Sequence, residues 1–200
     1  CIVPATGTID IDVDGQHFNS VGNRSIDVWG GEPEGVYVPT DTKVCFECLT
    51  DTAEIFIAGA KYEKVLEPFV VRPQDIDLVQ YGSDDTKTHR KIKHILGANQ
   101  RDKVGRLLVS ELYTVGSGGW SGFPSHKHDT DRMPKETRHD ETYNFRFKPN
   151  YGSGLQMLQR EDNKLGDAYH IMDGSTVLID KGYHPCCALP GYEMYYFTIL

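Results

Sequence analysis

The sequence predicts an all-β protein, an antiparallel sandwich or barrel, and three observations point there. Short runs in which apolar and polar residues alternate recur along the whole chain. Between them, 20 Gly and 10 Pro in 200 residues provide the turns. Windows of helical period are few, so strands must cover strands.

The first series opens at Thr8-Ile9-Asp10-Ile11-Asp12-Val13, where Ile9, Ile11 and Val13 share one face. Asp14-Gly15 then closes that strand in a hairpin turn. Further strands are expected at 35–39, 44–49, 54–58 and 67–71. A second series begins near 106–110 and continues through 141–147, 155–159, 168–172, 176–179 and 195–200. The turn Asp173-Gly174 echoes Asp14-Gly15, so the halves read as weakly similar. The polar stretch from 84 to 100 reads as a boundary, which divides the chain into 1–95 and 96–200. There is strand character from the first residues, no initiator Met and an apolar strand at the end, as in a piece of a longer protein.

Composition narrows the function classes. With 38% hydrophobic, 10% aromatic and 25% charged residues the chain is an ordinary globular one. A net charge of -8 argues against a binder of nucleic-acid backbones, which concentrates Lys and Arg. One basic run, Thr86-Lys87-Thr88-His89-Arg90-Lys91-Ile92-Lys93-His94, departs from this. It reads as a solvated strand edge or inter-domain face, or as a patch that steers an anionic substrate, with nucleic acid a distant third. No segment approaches the roughly 18 apolar residues that span a bilayer, and no leader is evident, so no membrane is expected and a cytoplasmic location is the expectation. The five cysteines, Cys1, Cys45, Cys48, Cys186 and Cys187, form no disulfide framework and suit a reducing compartment. Cys45 and Cys48 form a C-x-x-C, but in a strand they point to opposite faces, and no second pair completes a zinc site.

The informative segment is Gly118-Gly119-Trp120-Ser121-Gly122-Phe123-Pro124-Ser125-His126-Lys127-His128-Asp129. Its two histidines at i and i+2 would share a strand face, so both rings could reach one ion at about 2.0 to 2.2 Å while Lys127 faces away. Alone, that spacing is weak. Glu141 adds weight, because it heads a row shared with Tyr143, Phe145 and Phe147, and an acid on an inward aromatic row needs a partner. Asp129, Asp131, Glu136, Asp140 and His139 lie in or beside a polar connection and read as solvated. His184, in Leu178-Ile179-Asp180-Lys181-Gly182-Tyr183-His184-Pro185, follows a strand and a glycine turn; it is either a satisfied core histidine or a fourth ligand. Three histidines and a glutamate suit one divalent ion, Zn, Mn, Fe or Ni. Zinc is the first expectation, with Mn or Fe as alternatives.

The Gly118–Ser121 run, the H-K-H-D of 126–129, Glu141 before an aromatic strand, Asp173-Gly174, and Gly182-Tyr183-His184-Pro185 through Pro190-Gly191-Tyr192 together resemble a bicupin family. That family contains the 5-deoxy-glucuronate isomerases and the 4-deoxy-L-threo-5-hexosulose-uronate ketol-isomerases. The resemblance is strong from about residue 106 and looser before. It implies two cupin barrels in tandem, each a double-stranded β-helix, with the N-terminal one incomplete and metal-free. It also implies a metal in the C-terminal barrel on His126, His128, Glu141 and His184. Residues 142–145 depart from the family's more uniformly aromatic strand.

Conversion of the aldehyde sugar acid 5-deoxy-D-glucuronate to its 2-keto isomer is the implied reaction, in inositol breakdown. The substrate is then a small anionic sugar acid, and a homo-oligomer is allowed. Glu141, Tyr143 and Lys127 are candidates to move the proton, with Gln156 behind them. Arg146, Arg160 and Lys181 are candidates for the substrate carboxylate. Other readings are a uronate ketol-isomerase of pectin breakdown, an iron-dependent cupin dioxygenase, and a sugar-binding cupin without activity.

Overall fold

A computed structural model describes residues 1–200. It contains sixteen strands, two single-turn 3-10 helices and no α-helix. The strands form two compact units, one of residues 1–77 and 93–110, the other of 78–92 and 111–200. The division therefore is not the contiguous cut expected between 95 and 96; the two segments around it are exchanged. The reason lies in the basic stretch expected as a polar boundary, which contains a seven-residue strand with Ile95 and Leu96 fully buried. The alternation there is masked because its polar members are all basic.

In the first unit the strands are β1 (Ile2–Val13), β2 (Gln16–Arg24), β3 (Gly35–Tyr37), β4 (Val44–Cys48), β5 (Glu54–Ile57) and β6 (Phe69–Val71). The long β1 serves two pairings along its length. Its beginning pairs with β3 and β5, and its end with β2 and β4. As the alternation predicts, Ile9, Ile11 and Val13 are buried, and they pack with Ile2, Phe18, Val21 and Val36. Asp14 and Gly15 take the left-handed conformation of a tight hairpin turn. Cys45 and Cys48 oppose Asp12 and Ile9 on β1, positions of opposite facing, and all five cysteines are free thiols.

The second series comprises β7 (Asp77–Tyr81), β8 (Arg90–Leu96), β9 (Val109–Thr114), β10 (Trp120–Ser121), β11 (Glu141–Lys148), β12 (Ser153–Leu158), β13 (Asp167–Met172), β14 (Thr176–Ile179), β15 (Cys186–Ala188) and β16 (Glu193–Ile199). One sheet has the order β14-β11-β16-β9-β8-β7 and another β10-β15-β12-β13. Both send residues into one core: Leu112, Tyr143, Phe145, Phe147, Ile179, Met194 and Tyr196 from the first, Leu158, Ile171, Cys186 and Ala188 from the second. The fold is all-β and of cupin type. Alternation on β11 is strict: Glu141, Tyr143, Phe145 and Phe147 are buried and the residues between them only partly so. This places an acid at the head of an aromatic interior row.

Candidate metal centre

Two glycines bring the histidine segments together. After β14 the chain turns at Gly182, whose φ of 93° is open to glycine, and whose missing side chain lets it lie against the Gln159 carbonyl. Tyr183 then bridges to Gln159, and His184 follows with no exposed surface. After β10 the chain passes Gly122, where a Cβ would come within 2.9 Å of the His184 carbonyl oxygen. Asp129 joins the segments, its Oδ2 accepting the Gly182 N–H at 3.0 Å. His126 and His128 lie in irregular chain rather than in the strand that their spacing suggested, yet their rings converge.

The rings of His126 and His128 have their centroids 4.8 and 4.9 Å from that of His184. Each ring is oriented through Nδ1, which donates to a backbone carbonyl: His126 to Pro124 at 3.1 Å, His128 to His139 at 3.1 Å, and His184 to Gly182 at 2.8 Å. That leaves Nε2 of each ring facing the others, and one nitrogen from each lies within 4.8 Å of the rest. This is the only cluster of three or more metal-ligating side chains in the molecule. Such a set can hold a divalent ion, and carbonyl acceptors behind ligating histidines are the usual means of fixing the ring tautomer.

Glu141 sits against this cluster. Its Oε2 is 3.0 Å from Nε2 of His128 and 3.3 Å from Nε2 of His184, and its Oε1 accepts the Thr198 hydroxyl at 2.7 Å. Burial alone would raise its pKa, but the contacts from His128, His184 and Thr198 outweigh burial and lower it to about 2. In return the Glu141 hydrogen bond raises the pKa of His128. Partial desolvation of its ring, with His184 alongside, lowers that of His126 although the residue keeps an exposed edge. The 3.3 Å approach of His184 is a charge contact rather than an aligned hydrogen bond, and its Nε2 is buried without a partner. Protonated, the ring supports the Glu141 charge; neutral, with its proton on Nδ1, it turns a lone pair towards that carboxylate. Two electron-rich atoms held this way, in a buried place, call for a cation between or beside them. The ligand-to-ligand separations of 3.0 and 3.3 Å also suit neighbours on one ion, since bonds of about 2.1 Å put adjacent ligands roughly 3.0 to 3.4 Å apart.

The remaining candidates are dispersed. The Lys127 ammonium is 2.8 Å from Asp162 and lies over the Tyr183 ring; Asp162 raises its pKa, which makes it a poorer base. Tyr143 is buried beside the cluster, 6.2 Å from His184 between ring centroids and packed on Tyr196. Burial and the Glu141 charge hold its phenol protonated. Gln156 donates to the His184 carbonyl at 2.9 Å and so supports the chain around a cluster residue. Arg146 bonds Asn144 and the Phe145 carbonyl, Arg160 bonds Asp180 and Asp167, and Lys181 is exposed. His139 is exposed; its carbonyl accepts from His128 and its ring lies edge-on to the His128 ring, 5.7 Å between centroids. Thr198, which holds Glu141, and Asp129, which ties down Gly182, were not legible as site residues; Thr198 could have been found from the period-two row Met194, Tyr196, Thr198.

The profile of the KduI/IolB family matches residues 1–200. The chain belongs to the KduI/IolB family. Among relatives in it, a 5-deoxy-glucuronate isomerase of Geobacillus kaustophilus is 31% identical over 201 residues, covering 100% of this chain and 70% of that protein. A 5-deoxy-glucuronate isomerase of Bacillus subtilis (strain 168) is 29% identical over 100% of this chain and 72% of its own length. A solved structure, an IolB-like protein from Salmonella typhimurium LT2, superposes with a TM-score of 0.88 at 28% identity, covering 100% of this chain and 73% of that one.

Proposed function

We propose that this chain is a metal-dependent aldose–ketose isomerase that converts 5-deoxy-D-glucuronate to 5-dehydro-2-deoxy-D-gluconate in inositol breakdown. The single observation that carries the metal is the buried, unpartnered Nε2 of His184 beside an ionised Glu141. Its relatives supply the reaction, since those compared above are named 5-deoxy-glucuronate isomerases. His126, His128, Glu141 and His184 would hold the ion, with zinc first and manganese or iron as alternatives. When bound, the ion supplies Lewis-acid polarisation of a substrate carbonyl, which acidifies the neighbouring C–H.

The chain's own groups do the rest. Thr198 keeps Glu141 in place as a ligand by occupying Oε1, so the carboxylate is not free to swing as a base. Tyr143, held protonated by burial, can hold or give a proton to a substrate oxygen, and Lys127 cannot take one. Phe145 packs against Tyr143 and Tyr196 and so forms part of the apolar wall beside the cluster. The five free thiols fit a reducing, cytoplasmic setting. Elemental analysis of protein purified without added metal should find about one divalent ion per chain, and chelation should remove isomerase activity towards 5-deoxy-D-glucuronate. Full activity in metal-free protein would overturn the proposal.

A further inference from the structure

An acidic sugar substrate needs a cation, and Arg146, Arg160 and Lys181 do not supply one at the cluster. Arg90 is placed to do so. It shares a face of β8 with Ile92, which packs against the core of the second unit, so its side chain is turned inward and Lys91 outward. Its Nη2 donates to the carbonyl of Phe123 at 2.7 Å, three residues before His126, and its Nη1 to the carbonyl of Thr88 at 3.0 Å. The guanidinium lies over the Tyr81 ring, 5.6 Å from its centroid.

Arg90 differs in its company from four other arginines. Arg72, Arg132, Arg138 and Arg160 each pair with a carboxylate. Arg90 pairs with none; its partners are two neutral carbonyls and a ring. Two of the five N–H donors of a guanidinium are thus engaged by the chain, which fixes the plane of the group and leaves the others for a ligand. A planar fork with uncompensated charge is suited to a carboxylate, which it can bind through two parallel hydrogen bonds. Phe123, which it holds, is 45% exposed, so this end of the barrel faces solvent.

We propose that Arg90 is the specificity residue for the substrate's carboxylate, binding the acid group while the histidine cluster engages the carbonyl end. The proposal rests on the isomerase reading for the identity of the substrate, but its test does not require turnover. Binding of D-glucuronate, and of its neutral amide, is measured by calorimetry on metal-loaded wild type, Arg90→Met and Arg90→Lys. The wild type should favour the acid by roughly tenfold to a hundredfold, as a charge-assisted contact allows. Arg90→Met should lose that preference while binding the amide within about threefold of wild type, and Arg90→Lys should keep part of it. If wild type shows no preference, if the preference survives in Arg90→Met, or if both ligands weaken equally in both variants, the inference is wrong. Failure of wild type to convert 5-deoxy-D-glucuronate would instead count against the isomerase reading and leave the binding comparison to judge Arg90.

Discussion

His184 presents Nε2 to Oε2 of Glu141 at 3.3 Å while its Nδ1 is held by the Gly182 carbonyl at 2.8 Å. The ring cannot rotate to relieve that approach without breaking a buried hydrogen bond. A histidine so fixed matters through its imidazole, whereas His139 contributes a carbonyl that any residue carries and an exposed ring at the edge of His128. His184→Ala should therefore lower metal occupancy and activity by about a hundredfold or more, since even residues behind the ligands commonly account for 10–100-fold. His139→Ala should stay within about threefold of wild type. Metal analysis and kinetics of the two proteins side by side decide this; similar behaviour would mean the ligand set is wrong.

Acidity should act on the metal-free and metal-loaded proteins in opposite senses. The folded pKa of His128 is raised by Glu141, so this pairing stabilises the metal-free protein fully below about pH 6.5 and fades as pH rises through the raised value. Glu141, lowered to about 2, keeps its contribution until pH falls below the usual carboxylate range. Metal requires unprotonated rings, so its affinity climbs where the pairing fades. Thermal unfolding between about pH 6 and pH 8 should show the stability advantage of chelated wild type over chelated His128→Gln shrinking, and the gain of wild type from added metal growing. A constant gain across that interval would contradict the arrangement.

Tyr143 differs from a base by keeping its proton. Tyr143→Phe preserves the ring packing on Tyr196 and should leave metal content unchanged. A drop in kcat of about a hundredfold, the low end for proton transfer by a positioned side chain, is expected. An unchanged kcat would remove Tyr143 from the mechanism.

The paired cysteines after the Gly-Tyr-His-Pro turn invite a redox reading that their surroundings oppose. Cys186 has no exposed surface, and burial first, then the nearby Cys187 and Glu141, push its thiol well above the ordinary range. It should stay protonated and inert. Replacing Cys186 and Cys187 by Ala should change activity by less than about tenfold, or about 1.4 kcal/mol of barrier. In native protein a soluble alkylating reagent should modify the exposed Cys45 and Cys48 and spare Cys186. Rapid loss of activity on alkylation of Cys186 would reverse this reading.

Much of this was legible in the chain because alternation is a local signal. The burial of Ile9, Ile11 and Val13, and of Glu141 with Tyr143, Phe145 and Phe147, follows from period two alone. The convergence of His126, His128 and His184 was also expected, although from a strand geometry that the first two do not adopt. What the sequence hid is long-range. Thr198 meets Glu141 across 57 positions, and Gly182 meets Asp129 across 53. The inward turn of Arg90 was concealed by neighbouring cations that face elsewhere, which made one working residue look like part of a surface patch.

The three histidines are graded in exposure: His126 is exposed, His128 partly covered and His184 enclosed. The centre therefore has a front and a back. An ion held there would lie behind His126 and be closed off by His184. On the proposed reading, loading and substrate entry would share the His126 side and compete for passage. Substrate already seated should slow both capture and escape of the ion, making the turning-over enzyme more resistant to chelators than the resting one.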